Sequence, residues 1–313
     1  MRRMVGIIIF VVGVLLILGL VFKILPGGGG VWANSVVLAL VVGAAVFGLS
    51  FIKTQQPEAD APPPLPPAER VTGVFYEPAR IFQNLRYHPR WLAAFLVIAL
   101  SGALYNVAFV QRVTPEAIAQ ALNSEFDKLV EGGWMQPQRA EIAKEQNMAA
   151  AKSPAARITW PLNTIGAAFL ILLALAALFL LCVLIFGGRM NYWQALSAAA
   201  YSSLPPLVVA NLLSIVLLYV KPLEDIDPIR RQSGLVRADL SFLFAPAEHP
   251  ILFVIMSFIG ILSLYRLWLT ATGLRETSTR LSNASAWTIA LALGGLYMLL
   301  MILMASIFPS FVG

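Results

Sequence analysis

Residues 76–110 read YEPARIFQNLRYHPRWLAAFLVIALSGALYNVAFV. The first half, 76–91, is the one conspicuously amphipathic and basic segment in a chain otherwise dominated by long apolar runs. Read as a helix, it gathers Ile81, Phe82 and Leu85 on one side and turns Arg80, Gln83 and Tyr87 the other way, with Arg86 on the flank. Such a helix lies in the headgroup layer and turns at Pro89 into a membrane span. The second half, from Trp91, carries no charge and is long enough to be that span.

The same pattern extends along the chain. Of 313 residues, 59% are apolar and only 12% charged, which excludes an ordinary soluble protein. Seven apolar runs reach the roughly 20 residues that a helix needs to cross about 30 Å of hydrocarbon. They cover 4–22, 31–52, 91–110, 162–188, 195–220, 251–274 and 284–308. The expected fold class is therefore an all-α membrane protein with about seven transmembrane helices.

Arg2 and Arg3 before the first run resemble the start of a signal peptide. The run is longer than a usual signal core, and no small-residue cleavage site comes after it. An uncleaved signal anchor is the better reading, paired with the second run as a hairpin closed by the glycines at 27–30. Residues 53–70, with the core APPPLPPAE, break the apolar pattern and read as an extended, polyproline-like spacer. The domain division is then a transmembrane hairpin over 1–52, a proline-rich linker over 53–70 and a five-span module over 71–313. The absence of an obvious internal repeat weakens an inverted-repeat transporter reading.

Orientation is set by basic residues at span ends. With the N-terminus in the cytoplasm, the 22 basic residues divide evenly between the two sides. Those inside crowd the span ends, whereas most of those outside sit in the middle of two long segments, so the preferred arrangement is N-terminus in and C-terminus out. The first outer segment, 111–159, reads as a helical hairpin. Thr114 caps a helix that opens on Pro115 and carries Ile118, Leu122, Phe126 and Leu129 as an apolar stripe. Gly132 and Gly133 close it, and a polar helix over 139–152 comes next. The second outer segment holds Glu224, Asp225, Asp227 and Asp239 without the glycine and terminal glutamate of a calcium loop, and reads as a solvated acidic loop.

Polar chemistry inside the spans is sparse. Arg266 is the one charged residue within a proposed span and reads as snorkelling to lipid phosphate near the cytoplasmic end, the alternative being an interhelical partner for Asn106 or Asn211. Pro205 and Pro206 remove two backbone donors from the fifth span, so a kink or a re-entrant break is expected there, with Ser202 and Ser203 hydroxyls meeting the freed carbonyls. Few intramembrane carboxylates argue against an ion-coupled transporter. The single Cys182 and the separated His88 and His249 give no metal-ligand spacing, and no catalytic motif of a soluble enzyme is present. The positive charges sit at span ends, where anionic lipid is a simpler partner than nucleic acid.

Three segments, in order, carry a resemblance. FYEPARIFQNLRYHPRWL (75–92) is similar to the aromatic and proline lead-in to the first span of the Yip1 family. MNYWQALSAAAYSSLPPLV (190–208) resembles the segment before that family's prolyl span. LYRLWLTATGLRETSTRLSNASAW (264–287) resembles its fourth-span exit and the lead into the last span. Together they resemble the bacterial branch of the family. The resemblance implies a five-span core with its N-terminal side in the cytoplasm, to which the hairpin, the linker and the outer helical segment are additions.

The expectation is a multi-pass bacterial inner-membrane protein, non-enzymatic and without cofactor or metal, that acts as a membrane-organising or partner-binding scaffold. The alternative is a transporter or channel subunit. Its partners would be the lipid bilayer and a membrane protein. Phe75, Arg80, Phe82, Arg86 and Trp91 are the expected lipid and interface residues, and Pro205, Pro206 and Arg266 the span positions of interest.

Overall fold

Backbone groups in hydrocarbon have no water to bond, so apolar runs satisfy themselves as helices. A computed structural model of the chain describes residues 2–22, 28–52, 61–229, 234–236, 238–245 and 248–307. These hold twelve α-helices and two short 3-10 turns, with no strand among the described residues. The helices are α1 (Arg2–Val21), α2 (Gly28–Leu49), α3 (Pro67–Gly73), α4 (Pro78–Tyr87), α5 (Leu92–Val113) and α6 (Pro115–Glu131). They continue as α7 (Pro137–Lys152), α8 (Ala156–Ile185), α9 (Tyr192–Val220), α10 (Pro250–Ser257), α11 (Ile261–Thr277) and α12 (Asn283–Ile307). The turn at Gly27 and the first part of the linker, 53–60, lie outside the described residues, as do 308–313. Gly28–Gly30, expected in the hairpin turn, belong to α2 instead.

Among the described residues, five helices are long and apolar enough to cross a membrane: Trp32–Leu49 within α2, then α5, α8, α9 and Asn283–Ser306 within α12. The apolar part of α1, Gly6–Val21, is shorter. The sixth expected span, 251–274, is not one helix. It stops at Ser257 and restarts at Ile261, because the backbone between them pairs with a neighbouring segment. Leu240 N donates to Ile259 O and Ile261 N to Ala238 O, both at 3.1 Å, flanking a bridge between Asp239 and Gly260. The fifth expected span behaves the opposite way. Pro205 and Pro206 lie inside α9, which continues unbroken from Tyr192 to Val220, so the re-entrant break is absent. Ser202 Oγ donates to Ala199 O at 3.2 Å, one turn back, rather than to a carbonyl freed by the prolines.

The chain forms two compact units, and three of the five boundaries between them fall within α5, α8 and α9. The first comprises 1–53, 102–169 and 213–235. In it α1 and α2 approach closely through glycine: a Cβ at Gly6 would lie 2.6 Å from the backbone N of Phe47, and one at Gly43 2.6 Å from that of Phe10. Such spacing is how lipid-embedded helices gain dispersion contact in the absence of a hydrophobic drive. Ser35 Oγ donates to Asn163 Oδ1 at 2.8 Å, tying α2 to α8. The helical hairpin of 111–159 forms as the sequence implies, from α6 and α7. Thr114 adopts φ 65° and its hydroxyl accepts from Ala117 N at 3.3 Å, capping α6. Ile118 enters a core with Tyr105, Phe109, Val113, Leu218 and Leu235. Asp227 of this unit and Asp239 of the second, two of the four acids considered for a cation, instead accept from the backbone N–H of Ile229 and Ser241 in local turns, both at 2.9 Å.

The second unit comprises 54–101, 170–212 and 236–313. Here α11 packs against α4 and α12, and α10 against α12, where Phe253, Val254 and Ala305 are buried together.

Candidate functional site at the α3–α4 corner

The basic block folds as α4, and α3 precedes it. Both open on a proline at the first helical position, where its missing N–H costs nothing and its fixed φ fits the helix. The sequence APPPLPPAE reads as extended throughout. It is extended only through Pro66 (φ −64°, ψ 153°), and Pro67 starts α3. α4 ends at His88, which adopts φ −124° and ψ 73° because Pro89 disfavours a helical residue before it.

The apolar face of α4 does not meet lipid. Ile81, Phe82 and Leu85 are fully buried by protein. Phe82 closes on α11, where a Cβ at Gly273 would lie 3.1 Å from its Cε1 and Cζ atoms. This corrects the lipid-contact expectation for Phe82: its hydrophobic surface is consumed by α11, which the sequence places almost two hundred residues away. Gln83 Nε2 donates to Glu276 Oε2 at 2.9 Å, and Tyr265 Oη donates to Phe75 O at 3.2 Å, so α11 holds the corner at both ends.

Arg80 is exposed but engaged. It meets Glu69 of α3 at 2.7 Å and Glu77 at 3.0 Å, joining the two short helices. Phe75 is exposed, Arg86 and Trp91 are half-buried, and the Trp91 ring lies 5.8 Å from that of Phe95. Pro205 and Pro206 are buried in α9, whereas Arg266 is exposed on α11. Asn211, offered as a partner for Arg266, donates instead to Ser101 Oγ at 3.0 Å.

Three side chains foreseen only as part of the block, or not at all, fix the corner. Asn84 is buried and grips the proline-rich segment: its Nδ2 donates to Pro63 O at 3.0 Å and its Oδ1 accepts from Leu65 N at 3.3 Å. His88 Nε2 donates to Pro62 O at 2.7 Å. Residues 62–65 are therefore a strap bound to α4, not a free spacer. Gln194 works at the start of α9, where Asn191 Oδ1 accepts from Gln194 N at 2.9 Å and Gln194 Oε1 accepts from Asn191 N at 2.8 Å. This reciprocal pair satisfies two orphan donors. Gln194 Nε2 also donates to Arg86 O at 2.7 Å, capping the end of α4.

The turn before α9 is joined in its turn to the one before α12. Arg189 N donates to Thr279 O at 2.8 Å and Thr279 N to Arg189 O at 2.9 Å. The segments 75–92, 190–208 and 264–287, separate in sequence, thus meet in one hydrogen-bonded corner of the second unit. The Yip1 domain profile matches residues 72–305, about three-quarters of the chain. The chain belongs to the Yip1 family. α4 and the later segments of the corner lie within the Yip1 domain, while the α1–α2 hairpin, the proline strap and all of α3 but its last two residues precede the matched region. No significant match emerges among curated proteins or among solved structures.

Among the described residues no cluster of three or more His, Cys, Asp or Glu is arranged to hold a metal ion. The corner instead offers a preorganised surface: exposed Phe75 and Tyr76 on the loop between α3 and α4, and the exposed cation Arg90 at the entry to α5.

Proposed function

We propose that this Yip1-family membrane protein is a non-enzymatic scaffold of a bacterial inner membrane. In this reading the N-terminus is cytoplasmic, the C-terminus is outside, and the α3–α4 corner faces the cytoplasm as the surface that meets lipid headgroups and a membrane-protein partner. The observation that carries the reading is the construction of the corner. Side-chain bonds from Asn84, Gln83 and Gln194 lock three distant segments, yet Tyr76 at its tip is 66% exposed. Rigid positioning of an exposed aromatic lowers the entropy cost of docking. Because Arg80 is already matched by Glu69 and Glu77, the charge available to anionic lipid falls to Arg86 and Arg90.

The test is site-specific photo-cross-linking in intact membranes. A cross-linker at Tyr76 captures a discrete protein partner, and one at the exposed, apolar Leu100 captures lipid. Equal lipid-only labelling at both positions, together with solute flux through the purified protein in liposomes, would instead favour a transport subunit.

A further inference from the structure

One cation of the corner is buried without a counter-charge among the described residues. Arg70 lies on the face of α3 shared by Gly73 and Val74 and is only 2% exposed. Its Nε and Nη1 atoms are enclosed and have no hydrogen-bond partner among the described residues. The two acids of the α3–α4 corner are committed elsewhere: Glu69 and Glu77 both bond Arg80. The charged or polar groups that Arg70 senses electrostatically are Tyr201 of α9 and a second cation, Arg90. Tyr201 is fully buried, and its hydroxyl likewise has no partner among the described residues. Burial lowers the Arg70 pKa from its ordinary value, Tyr201 opposes that effect, and Arg90 adds to it. Arginine nonetheless stays protonated at any physiological pH.

A buried, unpaired guanidinium is among the costliest arrangements a protein can hold, and such charges persist when a partner completes them. The guanidinium fork matches a phosphate oxyanion geometrically, a phenol supplies one further donor, and a nearby second cation excludes another cation as ligand. Phosphate is also the abundant anion at the depth where α4 gives way to α5.

We propose that Arg70 and Tyr201 form an anion site that takes a phosphate oxyanion, with Arg90 as an outlying cation. The Arg70–Tyr201 pair is buried beneath the exposed docking surface and shares only Arg90 with it, and the site does not depend on the scaffold reading. Its phosphate is supplied by a phospholipid headgroup or by a phosphorylated solute.

The experiment uses the full chain, purified and delipidated in a non-ionic detergent, with unfolding followed by tryptophan fluorescence. The probes are phosphatidylglycerol-doped micelles, inorganic phosphate and an uncharged diacylglycerol control. A saturable rise in Tm is expected with phosphatidylglycerol or with inorganic phosphate and not with diacylglycerol. Response to phosphatidylglycerol alone assigns the headgroup source, and response to inorganic phosphate the soluble one. Tyr201→Phe weakens the apparent affinity roughly tenfold, the loss of one hydrogen bond to a charged group. Arg70→Met, which removes the unpaired charge and keeps an apolar stem, raises the Tm of the ligand-free protein and abolishes the probe-dependent rise. An unchanged response in both variants, or no response to either phosphate probe in the wild type, would overturn the proposal. So would a response that arises only when Glu58 and Asp60 of the preceding segment are changed to Gln and Asn, since that assigns the site to the chain's own carboxylates.

Discussion

Phe82 and Asn84 sit two residues apart on α4 and do opposite kinds of work. Phe82 contributes by volume: fully buried against α11, it leaves a cavity when truncated. Phe82→Ala is expected to cost about 3–4 kcal/mol, read as a lowered midpoint in chemical unfolding of the detergent-solubilised protein. Asn84 contributes by direction, since its amide supplies a donor and an acceptor to a proline-rich strand with few donors of its own. Asn84→Ala removes both bonds and is expected to cost about 1–2 kcal/mol. Its distinctive sign is local: hydrogen exchange at Leu65 accelerates while α11 amides keep their protection. Equal acceleration in both places would show that the strap is not a separable element.

At the scale of elements, most of the architecture was legible because periodicity and caps are local signals. The α6 helix is marked by Thr114 and Pro115 at one end and Gly132 with Gly133 at the other. The helical block was also legible, but not the neighbour of its apolar face, because amphipathicity shows that a face is buried without saying whether lipid or protein buries it. The same ambiguity hid Arg70. Had α3 been foreseen, Arg70, Gly73 and Val74 at i, i+3 and i+4 would have marked one inward face, but the run of prolines argued for an extended chain. The break at 258–260 left no local signature either, since its cause is pairing with residues 238–240. At Pro205 and Pro206 the outcome is the opposite: of the kink and the re-entrant break that the prolines suggest, the break is absent, because α9 runs on through both residues. Gln194 shows how an element boundary can serve two helices at once. Gln194→Ala removes half of the α9 cap and the bond to Arg86 O. The expected loss is about 1–2 kcal/mol, with increased exchange in the first turn of α9 and the last turn of α4 together. Fraying of α9 alone would mean that the bond to Arg86 carries no weight.

At the scale of the whole molecule, the α1–α2 hairpin and the Yip1 domain divide the labour unevenly. The family match begins at residue 72, yet the hairpin is not independent of the later helices. The first unit joins residues 1–53 with 102–169 and 213–235, and Ser35 bonds Asn163 across that join. Gly166 packs so closely under Leu38 that α8 has been shaped to receive α2. Removing residues 1–52 therefore strips one face of the α6–α7 hairpin and of the first turns of α8, because α7 also lies against α2. The second unit draws none of its residues from that region. The truncated chain is expected to insert, to keep native exchange protection in α4, α11 and α12, and to lose it in α7 and in α8 before Phe169. Limited proteolysis supplies an independent reading, with new cleavage confined to 132–157. Loss of protection at the α3–α4 corner in the same variant would show that the corner, the seat of both the docking surface and the buried Arg70, depends on the hairpin for its fold.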